Sequence, residues 1–94
     1  MALRFEWDAT KSASNRRKHG VSFEEARTVF YDDDALLLDD PDHSEDEARF
    51  VLLGMSSALR MLLVCHCYRG QDRCIRIISA RKASRQEQRQ YNPW

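Results

Sequence analysis

The sequence predicts an α+β fold in which helices pack on one antiparallel β-sheet. Two patterns lead to this prediction. Apolar residues recur at helical spacing in the N-terminal third, and three apolar stretches separated only by short turns occupy the second half. The chain has 94 residues, 43% of them apolar and 32% charged, which suits a single globular domain over residues 1–94.

The N-terminal third predicts one strand and two helices. Apolar and polar residues alternate in LRFEWD at 3–8, as in a short strand with one buried face. Asp8 is suited to cap a first helix that runs to about Lys18 and ends at Gly20. SFEE at 22–25 is a capping box that opens a second helix. One face of that helix then collects Phe23, Ala26, Val29 and Phe30.

The rest of the chain predicts four strands and a third helix. A short apolar stretch at 35–39 is expected to form a strand, and the acidic residues at 40–47 a loop. Three further strands, joined by short turns into an antiparallel meander, are expected at 48–56, 60–68 and 73–80. SRQE at 84–87 is a second capping box and opens a C-terminal helix that reaches Tyr91.

The net charge is zero, but the charges are unevenly distributed. Residues 32–47 contain nine acidic residues and no Lys or Arg, whereas residues 48–94 contain nine Lys or Arg and two acidic residues. A basic second half favours a polyanionic partner such as a nucleic acid. The alternative is that the basic and acidic surfaces face solvent or one another.

Several classes of protein are not supported. The sequence has no run of 18 apolar residues that would span a membrane and no recognisable signal peptide, so we expect a cytoplasmic protein. Its three cysteines are odd in number and lie at strand-like spacing, as expected for reduced thiols. Its three glycines do not cluster into a phosphate-binding loop, and we expect no nucleotide cofactor.

The most informative residue is Arg76, which lies inside the predicted strand 73–80. A cation in a half-buried strand is unfavourable unless its head reaches water or an anion. Strict alternation places Cys74, Ile78 and Ala80 on the same face of the strand as Arg76. His66 interrupts the apolar strand 60–68 and shares a face with Leu62, Val64 and Tyr68. If the register permits, His66 and Arg76 project from the same side of the sheet.

Further cations follow this strand: Arg81, Lys82, Arg85 and Arg89. His, Arg and Tyr side chains around a groove suit metal-free RNA cleavage. A base takes the 2′-hydroxyl proton, cations stabilise the charge on phosphorus, and an acid protonates the leaving 5′-oxygen. Each residue also has a structural alternative. Arg76 can pair with an acid, His66 can be a hydrogen-bonded strand histidine, and the basic helix can be a solvated face.

Two other groups can bind anions or metals. The cationic cluster RRKH at 16–19 complements the dipole of the first helix and can also grip phosphates. A C-x-C pattern inside a strand is a poor match to zinc-site spacing, so we expect no metal on Cys65, Cys67 and Cys74. In the loop, His43 can bind a divalent cation loosely with Asp40, Asp42, Glu45 and Asp46. A mobile acidic loop is the simpler interpretation.

Four segments are more specific: FEWD, NRRKHGVSFEEARTVF, DDPDHSEDEARFVLLG and IRIISARKASRQEQRQY. Together they resemble the BrnT-type toxins of bacterial type II toxin–antitoxin systems, from Phe5 to Tyr91. The resemblance implies a RelE-like fold and a metal-independent endoribonuclease that halts translation. It also implies an antitoxin partner encoded beside the toxin. Such antitoxins typically bind DNA as ribbon-helix-helix-type dimers, and the toxin reaches operator DNA only through them.

The resemblance carries over site residues as well. The matching positions are Lys18 and His19 in K-H-G, Glu47 and Arg49 in E-x-R-F, Arg76 in I-R-I-I-S, and Arg81 in S-A-R. It implies that Arg76 and Arg81 are phosphate and transition-state cations, with His66 or His19 as proton carrier. Tyr91 matches by position the functional tyrosine of RelE-like toxins. The expected RNA-binding residues are Lys18, Arg49, Lys82, Arg85 and Arg89.

The chain departs from the family pattern in places, and two alternatives stay open. Asp34 stands where a Pro is expected after the Asp pair. One alternative is a non-catalytic homologue that binds nucleic acid or antitoxin as a co-repressor. The other is a zinc-binding structural domain. The first shares salt-sensitive RNA binding with an active toxin but predicts no strand scission.

Overall fold

The computed structural model describes residues 3–39, 48–70 and 74–91. These residues form, in order, β1 Phe5–Glu6, α1 Ala9–His19, α2 Phe23–Thr28, β2 Leu36–Asp39, β3 Phe50–Met55, β4 Met61–Arg69, β5 Cys74–Lys82 and α3 Arg85–Tyr91. A turn of 3-10 helix, Val29–Tyr31, follows α2. The predicted α+β class is confirmed. The predicted acidic loop at 40–47 and its possible cation site lie outside the described residues.

The five strands form one sheet in the order β1-β5-β4-β3-β2. The predicted antiparallel meander of β3, β4 and β5 is present, and β2 pairs antiparallel with β3. β1 instead pairs parallel with β5, with Phe5 beside Ile75 and Glu6 beside Arg76. The sheet is therefore mixed, which differs from the wholly antiparallel sheet of the prediction. The direction of β1 depends on how α1 and α2 cross the sheet, and local alternation does not specify that path.

Local signals start and stop α1 as predicted. The Asp8 carboxylate accepts hydrogen bonds from the backbone N–H groups of Thr10 at 2.8 Å and Lys11 at 3.2 Å. At the other end Gly20 has φ of 72°, and its N–H donates to the Arg16 carbonyl at 2.8 Å. This left-handed conformation is one that glycine adopts without steric cost, so the helix ends there.

α2 is tied to the β3–β4 turn through Glu25. Ser22 caps the helix by accepting from the Glu25 N–H at 3.1 Å, while the Glu25 carboxylate accepts from the Ser56 hydroxyl at 2.7 Å and Arg60 Nε at 2.9 Å. Arg60 also donates to the Gly20 carbonyl at 2.9 Å. Its guanidinium lowers the pKa of Glu25, so the ion pair holds the turn against the α1–α2 junction at neutral pH.

The sheet has two differently covered faces. On the face covered by α1 and α2, hereafter the helix face, the buried core is Val21, Phe23, Ala26, Val29, Leu52, Leu62, Val64, Ile77 and Ala80. On the other face, hereafter the α3 face, a smaller core of Leu53, Leu63 and Ala83 packs against Tyr91 of α3. No helix in the described ranges is long and apolar enough to cross a bilayer.

Candidate functional site

A β-bulge in β5 changes which side chains share a face. Along β4 the pairing shifts between two neighbouring residues, so that Cys65 lies beside Ser79 and His66 beside Ile77. Ile78 is therefore the extra residue on β5. Alternation along β5 is interrupted at this point, and every side chain after Ile78 points to the opposite face from the one that strict alternation predicts.

The bulge brings Arg76 and Arg81 to the same face. These residues are five positions apart, and an unbulged strand would direct them to opposite faces. In the structure Arg76 lies beside Cys67, and Arg81 lies beside Leu63. Cys67 and Leu63 are separated by an even number of positions on β4, and Leu63 belongs to the α3-face core. Both arginines therefore lie on the α3 face, with Ser79 between them.

His66 does not share this face. It pairs with Ile77, and both belong to the helix face. The prediction that His66 and Arg76 project from one side of the sheet is therefore wrong, because Arg76 pairs with the next residue of β4. Ala80 was expected on the Arg76 face and also lies in the helix-face core, because the bulge precedes it.

The His66 ring is fully buried among aromatic side chains. Its centroid lies 4.8 Å from that of Phe30, 5.4 Å from that of Tyr68 and 6.2 Å from that of Phe50. Its Nδ1 atom is 3.1 Å from the Val64 carbonyl. Burial lowers the pKa of His66, so the ring is neutral at physiological pH. Its environment is that of a core residue out of reach of a polyanion.

Arg76 is held by a carboxylate on the neighbouring strand. Its Nη1 atom lies 2.6 Å from Oε2 of Glu6, and both side chains are partly accessible, at 27% and 41% of their surface. The hydrogen bond from Arg76, assisted by one from the Cys74 thiol, lowers the pKa of Glu6. The cation inside the strand thus has an anionic partner, and the Glu6 carboxylate is ionised at neutral pH.

Arg81 is held by a carboxylate on α3. Its Nη1 and Nη2 atoms each lie 2.8 Å from one oxygen of Glu87, in bidentate geometry. Glu87 is also part of the predicted capping box, because its carboxylate accepts from the Ser84 N–H at 2.8 Å and its own N–H donates to the Ser84 hydroxyl at 3.1 Å. Arg81 and the cap together lower the pKa of Glu87 to about 2. The start of α3 therefore fixes the direction of Arg81.

Tyr91 anchors the other end of α3. Its hydroxyl donates to Asp32 Oδ2 at 2.7 Å, and the Met55 N–H donates to the same oxygen at 2.8 Å. The bond to Asp32 raises the pKa of Tyr91 to about 12, so the phenol keeps its proton at physiological pH. Its ring packs against Leu53 and Leu63 in the α3-face core. Through these contacts Tyr91 holds the C-terminal end of α3 on the sheet.

The other predicted cations are divided between the two layers. Arg85 and Arg89 are exposed on α3. Arg49 directly precedes Phe50, the partner of His66, and its Nε atom is buried without a hydrogen-bond partner among the described residues. On the helix side, Lys82 lies beside Leu62, and the exposed Lys18 and His19 form the last turn of α1. The structure therefore does not bring Lys18 and His19 to the arginines of β5.

Asn15 of α1 holds β5 in place just after the bulge. The buried Asn15 amide donates to the carbonyls of Ala80 and Val21, each at 2.8 Å, and its oxygen accepts from the Ala80 N–H at 3.1 Å. β1 pairs only with the first part of β5, and the Asn15 side chain takes over the role of a neighbouring strand at Ala80. Asn15 thereby positions the residue directly before Arg81.

The sequence did not indicate Asn15, Glu6 or Glu87 as site residues. Glu87 had a local signal, because the capping box at 84–87 predicted its backbone contact. Glu6 and Asn15 had none, because their partners lie 70 and 65 positions away. The three cysteines are not joined by disulfide bonds. In the described ranges no three His, Cys, Asp or Glu side chains converge as a metal site.

Comparison with known proteins identifies the family. The sequence model of a protein family, described as the ribonuclease toxin BrnT of a type II toxin–antitoxin system, matches residues 7–87 of this chain. That family is BrnT, and this chain belongs to it, as the sequence motifs predicted.

A solved structure shows the same fold. The crystal structure of the Brucella abortus ribonuclease toxin BrnT superposes with a TM-score of 0.66 at 23% sequence identity, over 89% of this chain and 100% of that one. At this identity the likeness concerns the fold. No curated protein sequence shows significant similarity to this chain.

Proposed function

We propose that this protein is a metal-independent endoribonuclease that cleaves RNA on its α3 face and thereby inhibits translation. The observation that supports the proposal most directly is the bulge at Ile78, which brings Arg76, Ser79 and Arg81 to one face. A bulge costs ladder hydrogen bonds, and bulges are over-represented beside active sites, where they redirect side chains. Membership of a ribonuclease toxin family points to the same chemistry.

The spacing of the two arginines suits an RNA backbone. Their partners on β4, Cys67 and Leu63, are four residues apart. At a strand rise of 3.3–3.4 Å per residue, this corresponds to roughly 13 Å. An RNA strand lying along β5 would meet one guanidinium at each end of this span and the exposed Ser79 hydroxyl between them. A guanidinium group binds two phosphate oxygens at once, so each arginine can hold one phosphate of the bound strand.

The carboxylate partners leave the arginines able to bind phosphate. A guanidinium has five N–H donors, and Glu87 occupies two of those on Arg81. The carboxylates reduce the cost of holding two cations on a strand and set the direction of each guanidinium. Phosphate can then bind the remaining donors without rebuilding the site. In the transition state the guanidinium bound to the scissile phosphate stabilises the additional charge on phosphorus.

The proposed site uses only some of the expected residues. Arg76 keeps its expected role as a transition-state cation and Arg81 as a phosphate-binding cation, and Arg49, Arg85 and Arg89 extend the cationic surface. His66 and Tyr91 are not included as proton carriers, because His66 is buried among aromatic rings and Tyr91 is bonded to Asp32. Lys18, His19 and Lys82 are not included, because they lie on the helix side of the sheet.

The test is cleavage of a defined single-stranded RNA in excess EDTA. Wild type is compared with an Arg76→Ala/Arg81→Ala variant and with a matched control, Lys11→Ala/Arg27→Ala, which removes two cations from the helix layer. We expect wild type and control to cleave and the first variant to lose at least about 100-fold in rate, because it lacks both the cation that stabilises transition-state charge and the cation that holds the strand. Equal cleavage by all three proteins would place the site elsewhere.

The partner we propose is a ribbon-helix-helix-type antitoxin that covers the α3 face, with the complex bound to operator DNA through the antitoxin. A basic RNA-binding face is complementary to an acidic or amphipathic antitoxin segment. An antitoxin arm of the same assay tests this proposal. Purified antitoxin should abolish cleavage and protect Arg76 and Arg81 from chemical modification. A complex that leaves both arginines fully reactive would refute coverage of this face.

One observation favours the alternative of a non-catalytic co-repressor. Both site arginines already have carboxylate partners, an arrangement that also suits a purely structural surface. That alternative predicts salt-sensitive RNA binding without scission. Tight binding with no cleavage in EDTA, in added Mg²⁺ or on ribosome-bound mRNA would favour it over the enzyme.

A further inference from the structure

Cleavage at the proposed site requires a group that accepts a proton. Attack by a ribose 2′-hydroxyl is fast only when a positioned base takes its proton. None of the expected proton carriers is beside Arg76: His66 faces the opposite layer, His19 ends α1, and Tyr91 donates to Asp32. The arginines lie on the α3 face, and we look for the base among the other described residues beside them.

We infer that Glu6 is the general base of this site. The inference rests on the proposed function and names a catalytic residue for it. Glu6 lies on β1, directly beside Arg76 of β5, and its Oε2 atom is 2.6 Å from Arg76 Nη1. A phosphate bound to Arg76 would therefore lie next to the carboxylate. The neighbouring 2′-hydroxyl of the same nucleotide is the group that such a carboxylate can reach.

The state of Glu6 suits this task. Its side chain is 41% exposed, so a substrate can reach it without a conformational change. The bond from Arg76 keeps the pKa of the carboxyl below its ordinary value, and the group is ionised at neutral pH. One oxygen stays on the guanidinium, which fixes the carboxylate in position, and a lone pair remains free to accept the hydroxyl proton.

Among the described residues, Glu87 is the other acidic residue paired with Arg76 or Arg81, and its geometry does not suit a base. Both of its oxygens are bound to Arg81, and one of them also accepts from the Ser84 N–H. Freeing an oxygen would break the helix cap as well as the ion pair. Glu87 is therefore a positioning residue for Arg81, whereas Glu6 has a single strong partner and an accessible carboxylate.

The chemical step balances without a metal or cofactor. Glu6 takes the proton of the 2′-hydroxyl while the ribose 2′-oxygen forms its bond to phosphorus. Arg76, beside Glu6, stabilises the extra negative charge on the phosphoryl oxygens, and Arg81 holds the same RNA strand at another phosphate. The bond from phosphorus to the 5′-oxygen then breaks, and a water molecule protonates that oxygen. The products are a 2′,3′-cyclic phosphate end and a 5′-hydroxyl end, and Glu6 returns its proton to solvent.

The test is Glu6→Gln, which keeps an oxygen acceptor for Arg76 but cannot take a proton. We expect cleavage to fall about 100-fold or more. Binding of a non-cleavable 2′-O-methyl RNA should stay within about twofold, because the phosphate contacts are unchanged. In wild type, kcat/KM should fall as the pH falls below the ordinary glutamate value of 4.5. The variant should lack this acid limb. Glu24→Gln, at an exposed position of α2, should behave as wild type.

The outcomes separate this inference from the proposed function. Lost cleavage with retained binding supports Glu6 as the base. Unchanged cleavage by Glu6→Gln overturns the base assignment and leaves the ribonuclease proposal standing. Loss of both cleavage and binding would mean that Glu6 only holds Arg76, which also overturns it. Wild type that binds but cleaves no RNA under any condition overturns the proposed function and this inference together.

Discussion

At the scale of single residues, the two site arginines show how a cation is tolerated on a β-strand. Arg76 and Arg81 each bind a carboxylate from another element, Glu6 of β1 and Glu87 of α3. Partly exposed ion pairs contribute little to stability, because water screens the attraction between the charges. Their effect is to fix where each guanidinium points, and a fixed direction is what a phosphate-binding site requires.

Tyr91 tests the distinction between a catalytic and a structural residue. Tyr91→Phe removes the bond to Asp32 and keeps the ring in the α3-face core. The lost bond should lower the free energy of unfolding by about 1–2 kcal/mol. Cleavage should stay near the wild-type rate below the unfolding temperature. If Tyr91→Phe instead lost about 100-fold in cleavage with unchanged stability, Tyr91 would be a proton donor.

At the scale of elements, the bulge in β5 decides which side chains share the α3 face, and it is also where the sequence prediction failed. Alternation in 73–80 predicted a strand, and the strand is present. It could not reveal that Ile78 is an extra residue, because a bulge is defined by the register of the partner strand. Because Ile78 is the extra residue, Ala80 lies on the helix face and Arg81 lies on the same face as Arg76.

Asn15 gives a prediction at this scale, because it replaces a strand partner for β5. Asn15→Ala leaves the N–H and carbonyl of Ala80 and the carbonyl of Val21 without their partner. We expect the free energy of unfolding to fall by about 2–4 kcal/mol, since unpaired buried groups cost about 1–3 kcal/mol each. Urea denaturation measures this change. Ser14→Ala, at an exposed neighbouring position, is the control, and an equally small effect at Asn15 would refute the role.

At the scale of the whole molecule, the two faces of the sheet carry different groups of residues. The helix face holds the main core and the buried His66, and the α3 face holds a smaller core beside the arginines. The helices, their caps and the meander were predictable because each depends on neighbours in sequence. The parallel pairing of β1 and the contact between Glu6 and Arg76 were not, because they join residues from opposite ends of the chain.

The central claim is that RNA binds along β5 on the α3 face. The most direct measurement is an NMR titration of the ¹⁵N-labelled protein with a non-cleavable 2′-O-methyl RNA. We expect chemical-shift changes at the backbone amides of Arg76, Ser79 and Arg81 and at the Nε–H groups of both arginines. We expect none at Lys18 or His19. Changes confined to Lys18 and His19, with β5 unaffected, would place RNA on the end of α1 and contradict it.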